Sequence, residues 1–362
     1  PSNYQESVGW MEEGRYGYQR LNGGDGMQVQ VDRRDNRTVY SGSQFGYYAR
    51  IDKSNRKRSK GIRPQNDLGE PPLRFNWQTP ILLSRHNQDI LYYGSNHFHR
   101  SLNRGDSLET LSGDLSKGPK TGDVPFGTIT SISESPLHFG LLYAGTDDGL
   151  VQLSKDGGYT WTRISDALPQ NLYVSRVLAS RYREGRVYVT LSGYRNDHFF
   201  PYLYRSDDYG AHWTALSNEL PFEPLNVVKE DPVNEDILYA GSDGGLYVSL
   251  DAGNHFMLWN QGLPASIPVH DIAIQERDNE MVLATHGRSL YVAKLDSLQL
   301  LLKNPDLMKI KQEEAGKSGN MISQKQLEQL FDRSYMQARP LDIKEPNPTD
   351  LRKRKKKRDV SE

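Results

Sequence analysis

Three octapeptides with one shared pattern decide the fold of this chain: SKDGGYTW at 154–161, SDDYGAHW at 206–213 and SLDAGNHF at 249–256. Each follows the pattern Ser-x-Asp-x-Gly-x-x-aromatic. In such a turn the short polar side chains bond to the local backbone, glycine supplies a positive φ angle, and the aromatic ring packs on the layer beneath. We therefore predict that Asp156, Asp208 and Asp251 are structural residues of tight hairpin turns.

A strand is predicted just upstream of each turn, at 141–146, 186–191 and 237–242. These segments are rich in β-branched and aromatic residues and end near glycine. Looser copies of the same strand occur elsewhere, and a variant turn with asparagine in the aspartate position lies at 101–105. The strand markers are 52, 51, 45, 51 and 44 residues apart, at Tyr40, Tyr92, Tyr143, Tyr188, Tyr239 and Leu283. Six units of this length with about four strands each predict an all-β propeller.

The turns resemble Asp boxes, also called BNR repeats, and the chain is similar to the propeller superfamily that carries them. The overall resemblance is closest to bacterial secreted sortilin-like or "glycosyl hydrolase BNR repeat" proteins. It covers about residues 20–297 and also rests on GGDG at 23–26, NWQTPI at 76–81 and ATHGRSLYV at 284–292. The resemblance implies a propeller and an extracellular or periplasmic location. It does not define a chemistry, because one fold hosts many functions.

Two functions found in this superfamily are not expected here. A sialidase needs an arginine triad, a tyrosine nucleophile with a neighbouring glutamate, and an aspartate acid, and these spacings do not assemble that set. Sorting receptors of the sortilin type have a cysteine-rich module, whereas this chain has no cysteine. The absence of cysteine also excludes thiolate metal sites, and neither a metal nor a cofactor is predicted.

The repeat divides the chain into four parts. Residues 1–20 form an N-terminal segment interpreted as the end of a preceding blade, and residues 21–297 form the propeller. Residues 298–338 have helical spacing and offer a docking segment for a partner. Residues 339–362 form a proline-containing tail predicted to be disordered. The sixth unit lacks both the turn and a clear fourth strand. This favours a seven-bladed ring that continues upstream, and the alternative is a six-bladed ring closed by residues 10–22.

Charge is unevenly distributed along the chain. The formal net charge is -1, and the basic run from Arg352 to Arg358 contributes seven positive charges, which leaves about -8 on the remainder. Such a run can attract nucleic acid or an anionic membrane, but a solvated extension is the favoured interpretation because no other nucleic-acid signal is present. No run of 18 apolar residues occurs, so no transmembrane segment is predicted.

Connectivity sorts the loops onto two faces. The turns join strands three and four and share a face, here called the turn face, with the links between strands one and two. The opposite face, here called the link face, receives the links between strands two and three and the crossings between blades. Ligands are expected on the link face, where loops from every blade converge. The candidate ligand-binding residues there are Trp77, Asn96, Asp148, Tyr194, Arg195, Asp197, His198, His286 and Arg288.

Three functions fit this arrangement. The preferred one is binding of a polypeptide or glycan through the link face without turnover, for which the ten-residue link at 192–201 supplies aromatic and charged groups. The second is a glycoside hydrolase of xyloglucanase-like type, with Asp147 and Asp243 acting as acid and base. Both aspartates also have the composition of tight hairpin turns. The third is an assembly or scaffold factor that uses the C-terminal segments.

Overall fold

The computed structural model describes residues 21–217, 219–259, 261–303 and 339–340. It contains six four-stranded antiparallel sheets, each formed from strands that follow one another in the chain. Their inner strands surround one central channel. The described residues therefore form a six-bladed β-propeller with the six units that the repeat predicts, and the upstream seventh blade that the sequence favoured is not among them.

The blades are numbered in chain order. Blades 1 to 3 consist of β1 Val29–Val31, β2 Thr38–Ser43, β3 Tyr47–Asp52, β4 Lys60–Ile62, β5 Ile81–Leu83, β6 Leu91–Gly94, β7 Phe98–Ser101, β8 Glu109–Thr110, β9 Ile129–Glu134, β10 Leu142–Thr146, β11 Val151–Ser154 and β12 Thr162–Arg163. Blades 4 to 6 consist of β13 Tyr173–Ala179, β14 Val187–Gly193, β15 His198–Ser206, β16 Thr214–Ala215, β17 Leu225–Glu230, β18 Leu238–Ser242, β19 Leu246–Ser249, β20 Met257–Trp259, β21 Val269–Gln275, β22 Glu280–Thr285, β23 Leu290–Lys294 and β24 Arg339–Pro340.

Neighbouring blades bury each other's faces. Hydrophobic clusters join five successive pairs of blades among the described residues, from blades 1 and 2 to blades 5 and 6. The cluster between blades 5 and 6 contains Tyr239, Leu246, Ile272 and Leu283. Each fully buried side chain of this kind contributes roughly 1.5–3 kcal/mol. A single sheet could not bury both of its faces, so the set of blades is the unit that folds.

The Ser-x-Asp turns are held by their own side chains. In blade 3, Ser154 Oγ donates to Asp156 Oδ1 at 2.8 Å, and Gly158 N donates to Ser154 Oγ at 2.8 Å. Hydrogen bonds from Thr160, opposed by burial, lower the pKa of Asp156 to about 2. The asparagine variant keeps the geometry, because Ser101 Oγ donates to Asn103 Oδ1 at 2.9 Å. The carboxylates of these turns are therefore occupied locally.

Backbone hydrogen bonds place the loops on two faces. In each turn, the backbone N–H of the fourth residue donates a hydrogen bond to a carbonyl of the link between strands one and two of the same blade. The pairs are Arg104 N to Asp89 O, Gly157 N to Gly140 O, Tyr209 N to Gly185 O and Ala252 N to Asp236 O, all at 2.8–2.9 Å. At the opposite end of the ring, the links between strands two and three donate backbone hydrogen bonds to the crossings between blades. The pairs are Asp147 N to Thr128 O, Asp243 N to Pro224 O and His286 N to Pro268 O, at 3.0–3.2 Å. The turn face and the link face are thus opposite ends of the ring.

The sixth blade obtains its outer strand from far along the chain. Pro340 pairs with Tyr291 of β23, so residues 339–340 belong to the sheet and not to the tail in which the sequence placed them. The pairing satisfies backbone groups of an edge strand. Helix α1, Asp296–Lys303, begins just before the predicted extension, and its Leu298 is buried in the core of blades 5 and 6. The other predicted N- and C-terminal segments lie outside the described residues.

Among the described residues, none of the helices combines the length and the hydrophobicity that a membrane span requires.

Candidate functional site

Asp147, one of the two predicted catalytic carboxylates, is buried and fully engaged. Its Oδ1 accepts hydrogen bonds from the backbone N–H groups of Gly127 and Thr128 at 3.0 and 2.9 Å. Its Oδ2 accepts one from Thr128 Oγ1 at 2.7 Å. Burial raises the pKa of Asp147, and the hydrogen bonds from Thr128 oppose that shift. In this arrangement Asp147 fastens the crossing into blade 3 onto the link between β10 and β11.

Asp243, the second predicted carboxylate, has a more open environment. Its Oδ1 accepts a hydrogen bond from Asn226 Nδ2 at 2.9 Å and lies 4.0 Å from His270 Nε2. The His270 and His286 rings are 5.3 Å apart at their centroids. Burial lowers the pKa of His270, although Asp243 acts in the opposite direction. Asp243 and the two histidines therefore form a polar cluster on the link face of blades 5 and 6.

Two predicted ligand-binding residues, Asp148 and Asn96, lie in the interior. Asp148 Oδ2 accepts a hydrogen bond from Lys117 N at 2.6 Å, and its Oδ1 accepts one from Thr146 Oγ1 at 2.5 Å. Asn96 Oδ1 accepts a hydrogen bond from Arg74 N at 2.9 Å. Both side chains are buried. They hold loops together and present no free polar group at the surface.

The long link of blade 4 projects exposed aromatic rings. Strands β14 and β15 extend into this hairpin, and Asp197 turns it with a φ of 53°. Tyr194 at its tip is 59% exposed and meets the exposed Phe199 edge-on, with centroids 6.1 Å apart. The Arg195 guanidinium lies 4.9 Å from the centroid of the Tyr173 ring. The predicted recognition loop is therefore a structured hairpin with solvent-facing rings.

The other side of this hairpin carries a second row of rings. The Phe200 centroid lies 4.9 Å from that of Tyr202 and 5.6 Å from that of Phe222. Tyr202 Oη forms a 2.9 Å hydrogen bond with His198 Nδ1. Phe222, on the crossing into blade 5, is 77% exposed and was missed by sequence reasoning. The sequence signal for it was its position between Pro221 and Pro224. Proline cannot donate a hydrogen bond to a neighbouring strand, so this segment is expected to lie outside the sheet.

These five rings are here called the aromatic patch: Tyr194, Phe199, Phe200, Tyr202 and Phe222. Its members form two groups on the two sides of the long link of blade 4, Tyr194 with Phe199 and Phe200 with Tyr202 and Phe222.

A smaller aromatic site lies on blades 1 and 2. Trp77 is exposed and meets Phe45 edge-on, with centroids 5.0 Å apart. Beside it, the Arg63 guanidinium lies between the rings of Tyr47 and Phe75, at 4.4 and 4.1 Å from their centroids. Stacking of this kind fixes the arginine in place. Of the remaining predicted residues, His286 and Arg288 are exposed on the link between β22 and β23.

The candidate residues do not form a metal centre in the described parts of the chain, where no group of three His, Asp or Glu side chains is arranged to hold an ion. The chemistry available on the link face is aromatic stacking, cation–π contact and hydrogen bonding.

Comparison with known proteins agrees with the architecture. The chain matches no family model. It is similar to a xyloglucanase of Hypocrea jecorina (strain QM6a), with 29% identity over 150 residues, which are 41% of this chain and 16% of that protein. The GH74 enzyme of Niastella koreensis superposes with a TM-score of 0.53 and 16% identity, covering 73% of this chain and 44% of that one. YCF48 bound to D1 peptide superposes with a TM-score of 0.50 and 14% identity, covering 74% and 78%.

The chain thus spans less than half of the xyloglucanase and of the GH74 enzyme. At these identities the structural likenesses show the β-propeller fold.

Proposed function

We propose that this protein is a binding propeller that captures a polypeptide on its link face without chemical turnover. The observation that carries the proposal is the aromatic patch, in which Tyr194 and Phe199 are exposed on the hairpin that carries Arg195, and Phe222 is exposed on the crossing next to it. Tyrosine, phenylalanine and arginine are enriched in protein interfaces, and the tyrosine and arginine residues among them often dominate the binding energy. Exposed apolar clusters of this kind are typical of interaction sites.

The composition of the patch favours a polypeptide over a glycan. Phe199 and Phe222 have no hydrogen-bonding group in their side chains, so they offer apolar contact alone. A sugar ring presents hydroxyl groups that need polar partners as well as an aromatic face. The capture of a D1 peptide by YCF48 indicates that a propeller of this general shape can hold a polypeptide. We also propose that the chain is a propeller of the Asp-box class and that its location is extracellular or periplasmic.

A matched pair of variants tests the site. A random peptide library would be selected against the full chain, and the affinities of the selected peptides measured by calorimetry. Tyr194→Ala is expected to weaken binding by at least about tenfold, since a truncated interface anchor commonly costs 2 kcal/mol or more. The control is Tyr159→Ala, because Tyr159 is 60% exposed on the turn face. Equal losses in both variants, or no loss in either, would refute the proposed site.

A glycoside hydrolase is the second candidate, favoured by the partial match to a xyloglucanase. Such an enzyme needs two carboxyl groups flanking the scissile bond. Asp243 is accessible, whereas the oxygens of Asp147 already accept three hydrogen bonds. The test is the release of reducing ends from xyloglucan. We expect none from the full chain, and release that Asp243→Asn abolishes would establish the hydrolase instead.

A role as an assembly factor is the third candidate and depends on residues 298–338 and on the basic run from Arg352 to Arg358. Most of these residues lie outside the described part of the chain. The proposal predicts that deleting residues 341–362, which leaves β24 intact, removes a partner from a pull-down. Recovery of the same partners without those residues would contradict a role for the basic run.

A further inference from the structure

Three blades converge on one carboxylate inside the central channel. Glu276, which follows β21 of blade 6, accepts ion pairs from blades 2 and 4. Its Oε1 lies 3.4 Å from Arg85 Nη1 and 3.3 Å from Arg181 Nη1, and its Oε2 lies 3.2 Å from Arg181 Nη2. Two guanidinium groups from alternate blades of the ring are thus held around a single anionic group. This arrangement places two arginine side chains around an internal carboxylate near the turn-face end of the channel.

The channel carries more cations than these pairings neutralise. It has a volume of about 540 Å³, and its charged lining comprises Arg33, Arg85, Arg176, Arg181, Lys229, Glu134, Glu230, Asp271 and Glu276. Two of the carboxylates are buried and committed elsewhere. Glu230 accepts hydrogen bonds from Ser180 Oγ at 2.6 Å and Arg181 N at 2.8 Å. Glu134 accepts hydrogen bonds from Tyr92 Oη and Arg85 N. The described lining thus has five cationic and four acidic side chains, and its ion pairs join Arg176 to Asp271 and both Arg85 and Arg181 to Glu276.

Lys229 and Arg33 are the two cations of this lining that form no ion pair with the described residues. The Lys229 ammonium group has no hydrogen-bond acceptor among the described residues. Burial in the channel, together with repulsion from Arg85, lowers the pKa of Lys229 to about 8. A confined cation without an acceptor gains free energy when an anion enters its cavity, because the attraction is weakly screened there.

We infer that the channel binds one dianionic phosphate group, either free or carried by a small phosphate monoester, between Arg85, Arg181 and Lys229. A planar guanidinium matches the oxygens of phosphate with two parallel hydrogen bonds, and a lysine ammonium adds a point charge. The cavity is larger than one phosphate group, which leaves space for an attached organic group. The Glu276 carboxylate holds the two arginine side chains in position, and because it competes with phosphate for them it lowers the affinity for phosphate. The aromatic patch takes no part, so this inference does not rest on the proposed function.

The test is calorimetric titration of the full chain near neutral pH with inorganic phosphate and, separately, with glycerol phosphate. We expect one saturable site per chain. Lys229→Met should weaken binding by at least about tenfold, and Glu276→Gln should strengthen it by at least about tenfold, because hydrogen bonds to charged groups are worth roughly 1.5–3 kcal/mol. The matched control is Lys57→Met, which removes the same charge from an exposed position outside the channel and should change the affinity less than twofold.

The opposite responses of Lys229→Met and Glu276→Gln separate this site from general attraction to a positive surface. An equal loss in Lys57→Met, or no saturable binding by either the unmodified chain or Glu276→Gln, would overturn the inference. Thermal unfolding confirms that each variant is folded before titration. Equal affinity for the two ligands would identify the phosphate group alone as the determinant, and tighter binding of glycerol phosphate would identify a monoester as the ligand.

Discussion

Replacing Gly253 by alanine tests how the turns hold neighbouring blades together. Gly253 has a φ of +92°, and an added Cβ would lie 2.8 Å from Leu216 Cδ1 and 3.1 Å from Leu238 Cδ1. Leu216 follows the outer strand of the preceding blade, so the glycine is where one blade fits against the next. The left-handed backbone costs about 1–2 kcal/mol and overpacking about 1–3 kcal/mol more. We expect Gly253→Ala to lower the free energy of unfolding by about 2–5 kcal/mol.

Gly69 provides a control with the same backbone conformation. Its φ is +91°, and no atom lies within 4 Å of the position that its Cβ would occupy. Gly69→Ala therefore carries only the cost of the left-handed backbone, and this cost is partly offset because alanine restricts the unfolded chain. We expect Gly69→Ala to lower the free energy of unfolding by about 0–1.5 kcal/mol. The difference between the two variants reports the close fit between blades.

A double-mutant cycle with Leu216→Ala isolates that fit. Removing the Leu216 side chain makes space for the new methyl group, so Gly253→Ala should cost less in this background, with a coupling of at least about 1 kcal/mol. The assay is equilibrium urea unfolding of the full chain, followed by tryptophan fluorescence and circular dichroism. Equal losses for Gly253→Ala and Gly69→Ala, together with a coupling near zero, would refute the reasoning.

Three further predictions concern single side chains. Asp147→Asn should lower the free energy of unfolding by about 1–3 kcal/mol in the same urea assay, because the crossing into blade 3 loses hydrogen-bond acceptors. An unchanged value would contradict the role of Asp147 in fastening that crossing. The pKa of Lys229 is about 8 in the fold and about 10.4 in an unfolded chain. Between these two pH values the unfolded chain therefore binds more protons than the folded one, so the free energy of unfolding should rise with pH across that window. The rise should be absent in Lys229→Met. Identical pH profiles of the two proteins would contradict this. The pKa of Asp156 is lowered to about 2 by Thr160, so the difference in melting temperature between the unmodified chain and Asp156→Asn should shrink as pH falls from about 4 towards 2. A difference that stays constant over that range would contradict the role of its charge.

The architecture could be predicted because its signals are local and repeated. Each Ser-x-Asp turn carries its own hydrogen-bond partners within a few residues, as in Ser154 to Asp156, and each second strand carries a buried aromatic or aliphatic marker such as Tyr143 or Leu283. The two-face arrangement then follows from antiparallel connectivity. The outer strand of the sixth blade was not predictable in this way, because residues 339–340 lie far from β23 in the chain and contain no pattern of their own.

The candidate site was only partly predictable, because it depends on contacts between distant residues. The exposed hairpin with Tyr194 and Arg195 could be inferred from its length and composition. The role of Asp147 depends on the crossing at Gly127 and Thr128, about twenty residues upstream, and a hairpin-like sequence contains no trace of that pairing. Phe222 joins the aromatic patch through Phe200, a contact set by the relative position of two blades.

The most direct test of ligand capture on the link face is amide hydrogen exchange of the full chain with and without a peptide selected against it. We expect slower exchange at residues 192–201 and 221–224 when the peptide is bound, with no change at the turns 154–161, 206–213 and 249–256. Protection of the turns, with the link at 192–201 unaffected, would contradict that expectation.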